Sequence, residues 1–316
     1  MRWIEISPGF ACNCRCSGCF SCSAEAGAQM DWAEVQRWLY FGRERGAKHL
    51  WLSGGEPTLR RDFRKTLKLA KHLGYERIKV QTNGMLFAYE GFAERAVAAG
   101  MNEVNLLLKS LDPKVHDALN RTPRSHELLT AGLEQLRLAA RDAPLRLEGD
   151  FLMTTRNWSE LPAVVAHYAD RGLVHFNIWL FSLVDQGSRD LRRLVPKVSD
   201  CMAAMVEASD VARAHGATLC SLNTPHCMVP PSHWSMQFNA AGMDLAVVNP
   251  GGHVFMLEKS SIEQRVYVDR CDACAVRKWC HGMRSDYLAV HGDSELTPVS
   301  AEAAAGVDPR GSVLEI

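Results

Sequence analysis

Much is missing from this chain of 316 residues. No apolar run reaches the ~18–20 residues of a membrane-spanning helix. The opening stretch, MRWIEISPGF, has neither the apolar core nor the cleavage site of a signal peptide. There is no net charge, since 36 Lys+Arg balance 36 Asp+Glu. That balance argues against a membrane surface or nucleic acid as the main partner. The one basic run, RRDFRKTLK at 60–68, reads as the solvated face of a helix. None of the twelve histidines has ligand-like spacing. These absences together point to the cytoplasm. Disulfides are not expected in that reducing compartment, so eleven cysteines read as metal ligands.

The cysteines are clustered. Five lie at 12–22 and three at 271–280, whereas Cys201 and Cys220 stand apart as core residues do. Cys12, Cys16 and Cys19 have the spacing C-x3-C-x2-C. Three thiolates so placed can hold three irons of a [4Fe–4S] cube and leave the fourth iron open to a ligand. Cys16, Cys19 and Cys22 also form a ferredoxin-like ladder, but Ala26 stands where that ladder needs its fourth cysteine. A zinc half-site is the other rival, because C-x2-C is common in such sites. Cys14 and Cys22 read as spare thiols.

Strand-like and helix-like segments alternate. Strands are expected at 3–6, 49–52, 77–82, 103–108, 145–153 and 174–181, and helices at 31–45, 61–73, 90–99, 126–140, 159–171 and 198–215. Gly46, Gly74, Gly100, Gly172 and Gly216 close helices. Six strand–helix units in about 215 residues fit a partial (β/α)6 TIM-like barrel better than a complete one, which takes ~250 residues. In such a sheet, functional residues sit beyond the carboxyl ends of the strands. The cysteine loop follows the first strand, Ser53-Gly54-Gly55-Glu56-Pro57 the second, and Thr82-Asn83-Gly84 ends the third. All three motifs fall on one rim. Two glycines at a strand end permit close approach of another molecule, and Glu56 with nearby carbonyls could accept from a ligand amine. Past residue 216, Pro and Gly become frequent and the chain reads as a small loop-rich module of a kind that often needs a metal to fold.

The combined motifs resemble the radical S-adenosylmethionine (SAM) superfamily. Cys12, Cys16 and Cys19 match its three-cysteine motif, Gly54–Pro57 its amine-binding GGEP, and Thr82–Gly84 a following TNG. Gly18 stands where relatives carry an aromatic against adenine, so Phe20 is the expected cover. SLDPKVHDALNR at 110–121 is similar to the strand-four region of peptide- and small-molecule-modifying members, in which the serine, here Ser110, lies near the SAM carboxylate. The resemblance implies reductive cleavage of SAM to methionine and a 5′-deoxyadenosyl radical that abstracts hydrogen from substrate. It also implies a reducing partner such as flavodoxin or ferredoxin.

Cys271-x2-Cys274-x5-Cys280 carries zinc as its obvious rival, with His281 as a fourth ligand. Beside the first motif it resembles the auxiliary-cluster domains called SPASM and twitch. Met256 and Leu257 stand where relatives have a cysteine, and none follows Cys280, which leaves room for one cluster. Cys227, in a Pro-flanked loop, is the best fourth ligand; with it the second [4Fe–4S] cluster would relay electrons. The expected organisation is a core at 1–215, an auxiliary domain at 216–299 and a flexible tail at 300–316. The leading expectation is an enzyme acting on a small molecule in a biosynthetic pathway. One alternative is a peptide maturase that forms crosslinks on a precursor, disfavoured because no peptide-recognition segment precedes the first strand. Another is a non-catalytic iron–sulfur carrier or sensor. Lys109, Glu148 and Asp150 sit at ends or inner faces of strands, where they could touch substrate or SAM or merely satisfy the interior.

Overall fold

In WIEI, successive side chains point to opposite sides of a strand, so Ile4 and Ile6 share one face and Trp3 and Glu5 the other. The same alternation recurs in each strand that follows, and it decides which face the helices cover. The computed structural model describes residues 1–19, 21, 28–183, 189–238, 240–260 and 266–310. In chain order the elements are β1 (Trp3–Ile6), α1 (Trp32–Glu44), β2 (His49–Leu52), α2 (Phe63–His72), β3 (Arg77–Thr82), α3 (Phe92–Ala99), β4 (Glu103–Leu108), α4 (Pro113–Asn120), α5 (Ser125–Asp142) and β5 (Arg146–Met153). There follow α6 (Leu161–Ala169), β6 (Leu173–Leu180), α7 (Arg189–Arg192), α8 (Val198–Ala214), β7 (Thr218–Leu222), α9 (Ala240–Met243), β8 (Leu245–Asn249), β9 (His253–Met256) and α10 (Ser285–His291).

The α/β class with a parallel sheet is as expected. Contacts divide the chain into two compact units. The first is Met1–Asp150, Arg171–Val174 and Asp244–Leu257; the second is Phe151–Asp170, His175–Met243 and the chain from Glu258 onward. The stretch 216–299 is therefore shared between the two.

In the first unit the strand order is β5-β4-β3-β2-β1-β8-β9. Strands β1 to β4 and β8 run parallel, and β9 turns back, antiparallel to β8. Helix α1 starts on a capping box: Asp31 accepts from the Glu34 amide while Glu34 accepts from the Asp31 amide. It lies against the aliphatic face. A Cβ at Gly42 would stand 2.9 Å from Ile4 Cγ2 and 2.4 Å from the Tyr75 hydroxyl, so the helix approaches β1 closely only because that residue is glycine. Ile4, Ile6, Leu50, Leu52, Ile78, Val80, Val104 and Leu106 form the buried core on this face. Burying such side chains contributes about 1.5–3 kcal/mol each.

In the second unit β6 and β7 pair in parallel from His175 opposite Thr218 to Trp179 opposite Leu222. Arg284, buried, donates to the carbonyls of Leu180 and Phe181 at the end of β6 and pairs with Asp286 at 2.8 Å.

Two features differ from the sequence reading. Residues past 216 are not only loops, for β7, β8 and β9 lie there. Pro250-Gly251-Gly252 is the turn of the β8–β9 hairpin, with Asn249 opposite His253; its Pro and Gly content masked two short strands. Helix α4 was also not anticipated. Asp112 caps it by accepting from the Lys114 amide, and Pro113 takes the first position, where no amide is needed. Among the described residues, no helix is long and apolar enough to cross a membrane.

Candidate functional site

The first cysteine loop leaves β1 and is held by backbone hydrogen bonds to the end of α4: the Arg15 amide donates to Asn120 O at 3.1 Å and the Ser17 amide to Leu119 O at 2.9 Å. Cys12, Cys16 and Cys19 are half-buried, whereas Cys14 is buried. Cys16 Sγ lies 3.2 Å from Asn120 Oδ1. The Cys14 amide donates to Cys12 Sγ at 3.3 Å, and Cys14 Sγ packs 3.5 Å from Met85 Sδ. The Cys14 thiol hydrogen-bonds its neighbours, which pulls Cys12 below the usual thiol range and Cys16 down to about 6, the Lys109 charge assisting at Cys16. Cys14 itself is pushed up by the same bonds and by burial. The spare thiol thus favours thiolate on the two cysteines of the motif beside it. Phe20 and Cys22 lie outside the described residues.

The glycine pair of the second motif meets this loop directly. A Cβ on Gly55 would stand 2.2 Å from Ala11 O, and one on Gly54, whose φ is +105°, 2.6 Å from Gly9 O. The amides of Gly55 and Glu56 donate to Gly9 O and Ala11 O, both at 2.9 Å. The close approach that the glycines allow is therefore by the chain itself. Ser21 Oγ donates to Gly54 O at 2.9 Å.

Glu56, 2% exposed, is turned inward. It accepts from the Thr58 amide at 3.1 Å, Thr58 Oγ1 at 2.5 Å, Thr82 Oγ1 at 2.8 Å and the Asn83 amide at 2.8 Å. Burial raises its carboxyl above the ordinary range and the four donors oppose that rise. Its side chain ties the second motif to the third. Asn83 closes the circuit, with Nδ2 2.7 Å from Asn13 Oδ1 and 3.9 Å from Cys12 Sγ. Ser53 is buried and points down into the sheet, 2.5 Å from Glu5 Oε1 and 2.9 Å from Ser7 Oγ. Ser110 accepts from the Asp112 amide at 3.0 Å and shapes the start of α4. Pro57 opens a buried single turn after Glu56. Asn13 and Asn120 escaped the sequence reading: Asn13 stands between Cys12 and Cys14, and Asn120 lies within the stretch 110–121, where nothing marked it as a partner of Cys16.

In the second unit, Cys227, Cys271, Cys274 and Cys280 line one pocket with Pro225 and Thr297. Burial first, and then the charges of Cys280, Cys274 and Cys271, push the Cys227 thiol up to about 12, so the four sulfurs are electrostatic neighbours. Backbone amides point at two of them: Val299 N lies 3.4 Å from Cys274 Sγ and Gly282 N 3.4 Å from Cys280 Sγ. All-sulfur donors with amide support suit a soft metal or an iron–sulfur cluster. Among the described residues no three His, Cys, Asp or Glu side chains are gathered as a site for a single metal ion. Cys220 is wholly buried, with a thiol raised by desolvation, and Cys201 is pushed up to about 12, chiefly by burial; both belong to the core.

A core of parallel strands with a pinned three-cysteine loop beyond β1 defines a class. Residues 6–142 match the family described as the Radical SAM superfamily. The chain is similar to a probable GTP 3′,8-cyclase of Methanopyrus kandleri, 29% identical over 171 residues, or 54% of this chain and 53% of that one. It is similar to the GTP 3′,8-cyclase of Tolumonas auensis, 29% identical over 137 residues, or 42% of this chain and 40% of the other. The chain spans about half the length of these curated relatives. Among solved structures, Streptococcus suis SuiB bound to S-adenosylmethionine shares the fold, with a TM-score of 0.67, 14% identity, and coverage of 95% of this chain and 76% of SuiB.

Proposed function

We propose that this chain is a radical SAM enzyme that abstracts hydrogen from a small-molecule substrate, with a second iron–sulfur cluster for electron transfer. The observation that carries the reading is the pinned loop of Cys12, Cys16 and Cys19, joined through Asn13 and Asn83 to the Glu56 circuit. The donor set fits a [4Fe–4S] cluster with one open iron. When bound, that cluster supplies the electron that cleaves SAM to methionine and a 5′-deoxyadenosyl radical.

The residues of the chain bind, orient and exclude water. Cys12 and Cys16 are biased toward thiolate before any metal arrives. Ser53, Gly54, Gly55, Glu56, Pro57, Thr82, Asn83 and Ser110 form the rim assigned to SAM. Within it, Glu56 ties the ends of β2 and β3 together through Thr82 and Asn83, and the motif is assigned to the amine of SAM. Cys227, Cys271, Cys274 and Cys280 are assigned to the auxiliary cluster in a twitch-like arrangement. Four thiolates leave no open iron there, which suits transfer of an electron from or to substrate. A flavodoxin or ferredoxin is the assigned reductant, and the cytoplasm the assigned location. The curated relatives are named for a reaction on GTP, and that supports a small-molecule substrate over a peptide.

The test is anoxic reconstitution with iron and sulfide, reduction with dithionite, and addition of SAM. Formation of 5′-deoxyadenosine is expected. A cluster whose paramagnetic spectrum ignores SAM, with no 5′-deoxyadenosine, would overturn the enzymatic reading.

A further inference from the structure

Several helices of this chain pair their exposed cations. Arg37 on α1 meets Glu34, Arg124 and Arg137 at α5 meet Glu127 and Glu134, and Arg213 on α8 meets Asp210. Helix α2 departs from that habit. From 60 to 72 the chain holds six Lys or Arg and one acidic residue, Asp62. Arg60 occupies that acid through two hydrogen bonds, at 2.8 and 2.7 Å. Arg61, Arg64, Lys68 and Lys71 are exposed, and among the described residues no carboxylate pairs with any of them. The Lys65 ammonium lies 5.5 Å from the ring centroid of the half-buried Trp32.

Packing does not call for this charge. Phe63, Thr66, Leu67 and Ala70 are the buried face of α2, so the cations project from the other side. The helix does not gain from them at its start either. Arg64 and Lys65 stand in the first turn without an acidic residue, and Asp62 makes no capping hydrogen bond. Cations there oppose the positive end of the helix dipole.

The face begins beside the first cysteine loop. Arg60 donates to Pro8 O at 2.8 Å and to Met30 O at 3.0 Å, which fastens the head of α2 near the start of that loop. Arg61 lines one cleft with Gly9, Ala11 and the exposed Leu59, and Ala11 precedes Cys12. Arg64 to Lys71 spread the charge over about 10 Å of helix, at 1.5 Å per residue. A field that broad suits a macromolecule rather than a small anion, and its sign selects an acidic one. The neutral charge of the whole chain argues against nucleic acid, and an exposed leucine among cations fits a protein contact.

We propose that the exposed face of α2, with Arg61 at its head, docks an acidic electron-carrier protein that reduces the first site. The carrier loses one electron, and a cluster held by Cys12, Cys16 and Cys19 gains it; no bond to the chain forms or breaks. That the carrier serves the first site rests on the radical SAM reading; that an acidic protein docks here does not.

The anoxically reconstituted full chain would be titrated with an oxidised flavodoxin of strongly negative net charge, binding being read by calorimetry. The reduced flavodoxin would then be mixed with it and reoxidation of the flavin followed by absorbance. Binding is expected at low ionic strength and is expected to be lost by about 0.5 M salt. Arg64→Glu with Lys68→Glu is expected to weaken binding, and to slow reoxidation at low salt, by at least about tenfold. Formation of 5′-deoxyadenosine with dithionite, which needs no docking, is expected to be unchanged. Arg64→Gln with Lys68→Gln, the milder pair, serves if the reversed pair does not fold. Arg137→Glu on α5 is the control and is expected to leave flavodoxin binding as it is. Unchanged affinity in the folded variants, binding indifferent to salt, an equal loss in the control, no binding at all, or tighter binding of a mixed-sequence RNA oligonucleotide would overturn the proposal. If flavodoxin binds through Arg64 and Lys68 but neither reductant yields 5′-deoxyadenosine, the enzymatic reading fails and the docking face stands. If dithionite yields it and the variants bind flavodoxin as wild type does, only the docking face fails.

Discussion

In the first unit, Cys12, Cys16 and Cys19 share one short loop; in the second, Cys227 reaches its pocket from far upstream of Cys271, Cys274 and Cys280. The thiols differ accordingly. A neighbouring S–H lowers Cys12 and Cys16, whereas burial and like charges raise Cys227. The first site is arranged by backbone contacts before metal binds. The second gathers four sulfurs around Cys227, whose thiol burial and the neighbouring charges hold protonated, so a metal bound there would couple to local folding. A loop poised in this way suits a ligand that comes and goes; a pocket closed by four sulfurs suits a group that stays.

The contrast can be broken most sharply at a single thiol. Cys16→Ala is expected to abolish 5′-deoxyadenosine formation, and Cys274→Ala to retain SAM cleavage while losing substrate turnover; chromatography of the products decides it. Should Cys16→Ala still cleave SAM, the assignment of the first site fails. Cys227→Ala is next, and is expected to lower bound iron from about eight to about four atoms per chain. Iron analysis reads this directly, and an unchanged count removes Cys227 from the ligand set.

Gly55→Ala tests whether arrangement precedes metal in the first loop without touching a thiol. Its Cβ would meet Ala11 O at 2.2 Å, so a loss of about 3 kcal/mol in denaturant unfolding is expected, with iron lost from the first site only. Full occupancy and wild-type stability would show the contact to be dispensable.

Glu5→Gln has the smallest expected effect. The folded carboxyl stands at about 7 against an ordinary 4.5, so its protonated form favours folding at low pH, and that stability is lost as pH rises through 7. Gln cannot ionise. The variant should therefore be more stable than wild type at pH 8 by about 1–2 kcal/mol, discounted for partial exposure, and the difference should vanish below about pH 4. Parallel melting curves at both pH values would refute this.

The first cysteine motif and the strands through β6 were readable because local spacing and alternation suffice for them. Helix α1 announced itself through Asp31 and Glu34, and strand RIKVQT through its period of two. The inward turn of Glu56 was not readable, since its partners Thr82 and Asn83 come from the next strand. Nor was the role of the glycine pair: the sequence marks where the backbone is bare, not which molecule presses on it. β8 was missed because five residues before Pro-Gly-Gly carry too little periodicity, and its partner β1 lies at the other end of the chain. Asp150 was visible as an inward carboxylate, but its donors, Gln81 and Asn105, come from β3 and β4 and could not be read from its own strand.

The bonds from Gly55 and Glu56 to Gly9 and Ala11 turn one loop into a ruler for the other. The carbonyls of Gly9 and Ala11 are each measured against an amide of the second motif, so the distance from β1 to Ala11 is counted in whole residues. One inserted residue would displace the sulfur of Cys12, the next residue, by a strand step of about 3.3 Å, more than any rotamer change could absorb while the bonds remain. Length variation is thus forbidden between Gly9 and Ala11.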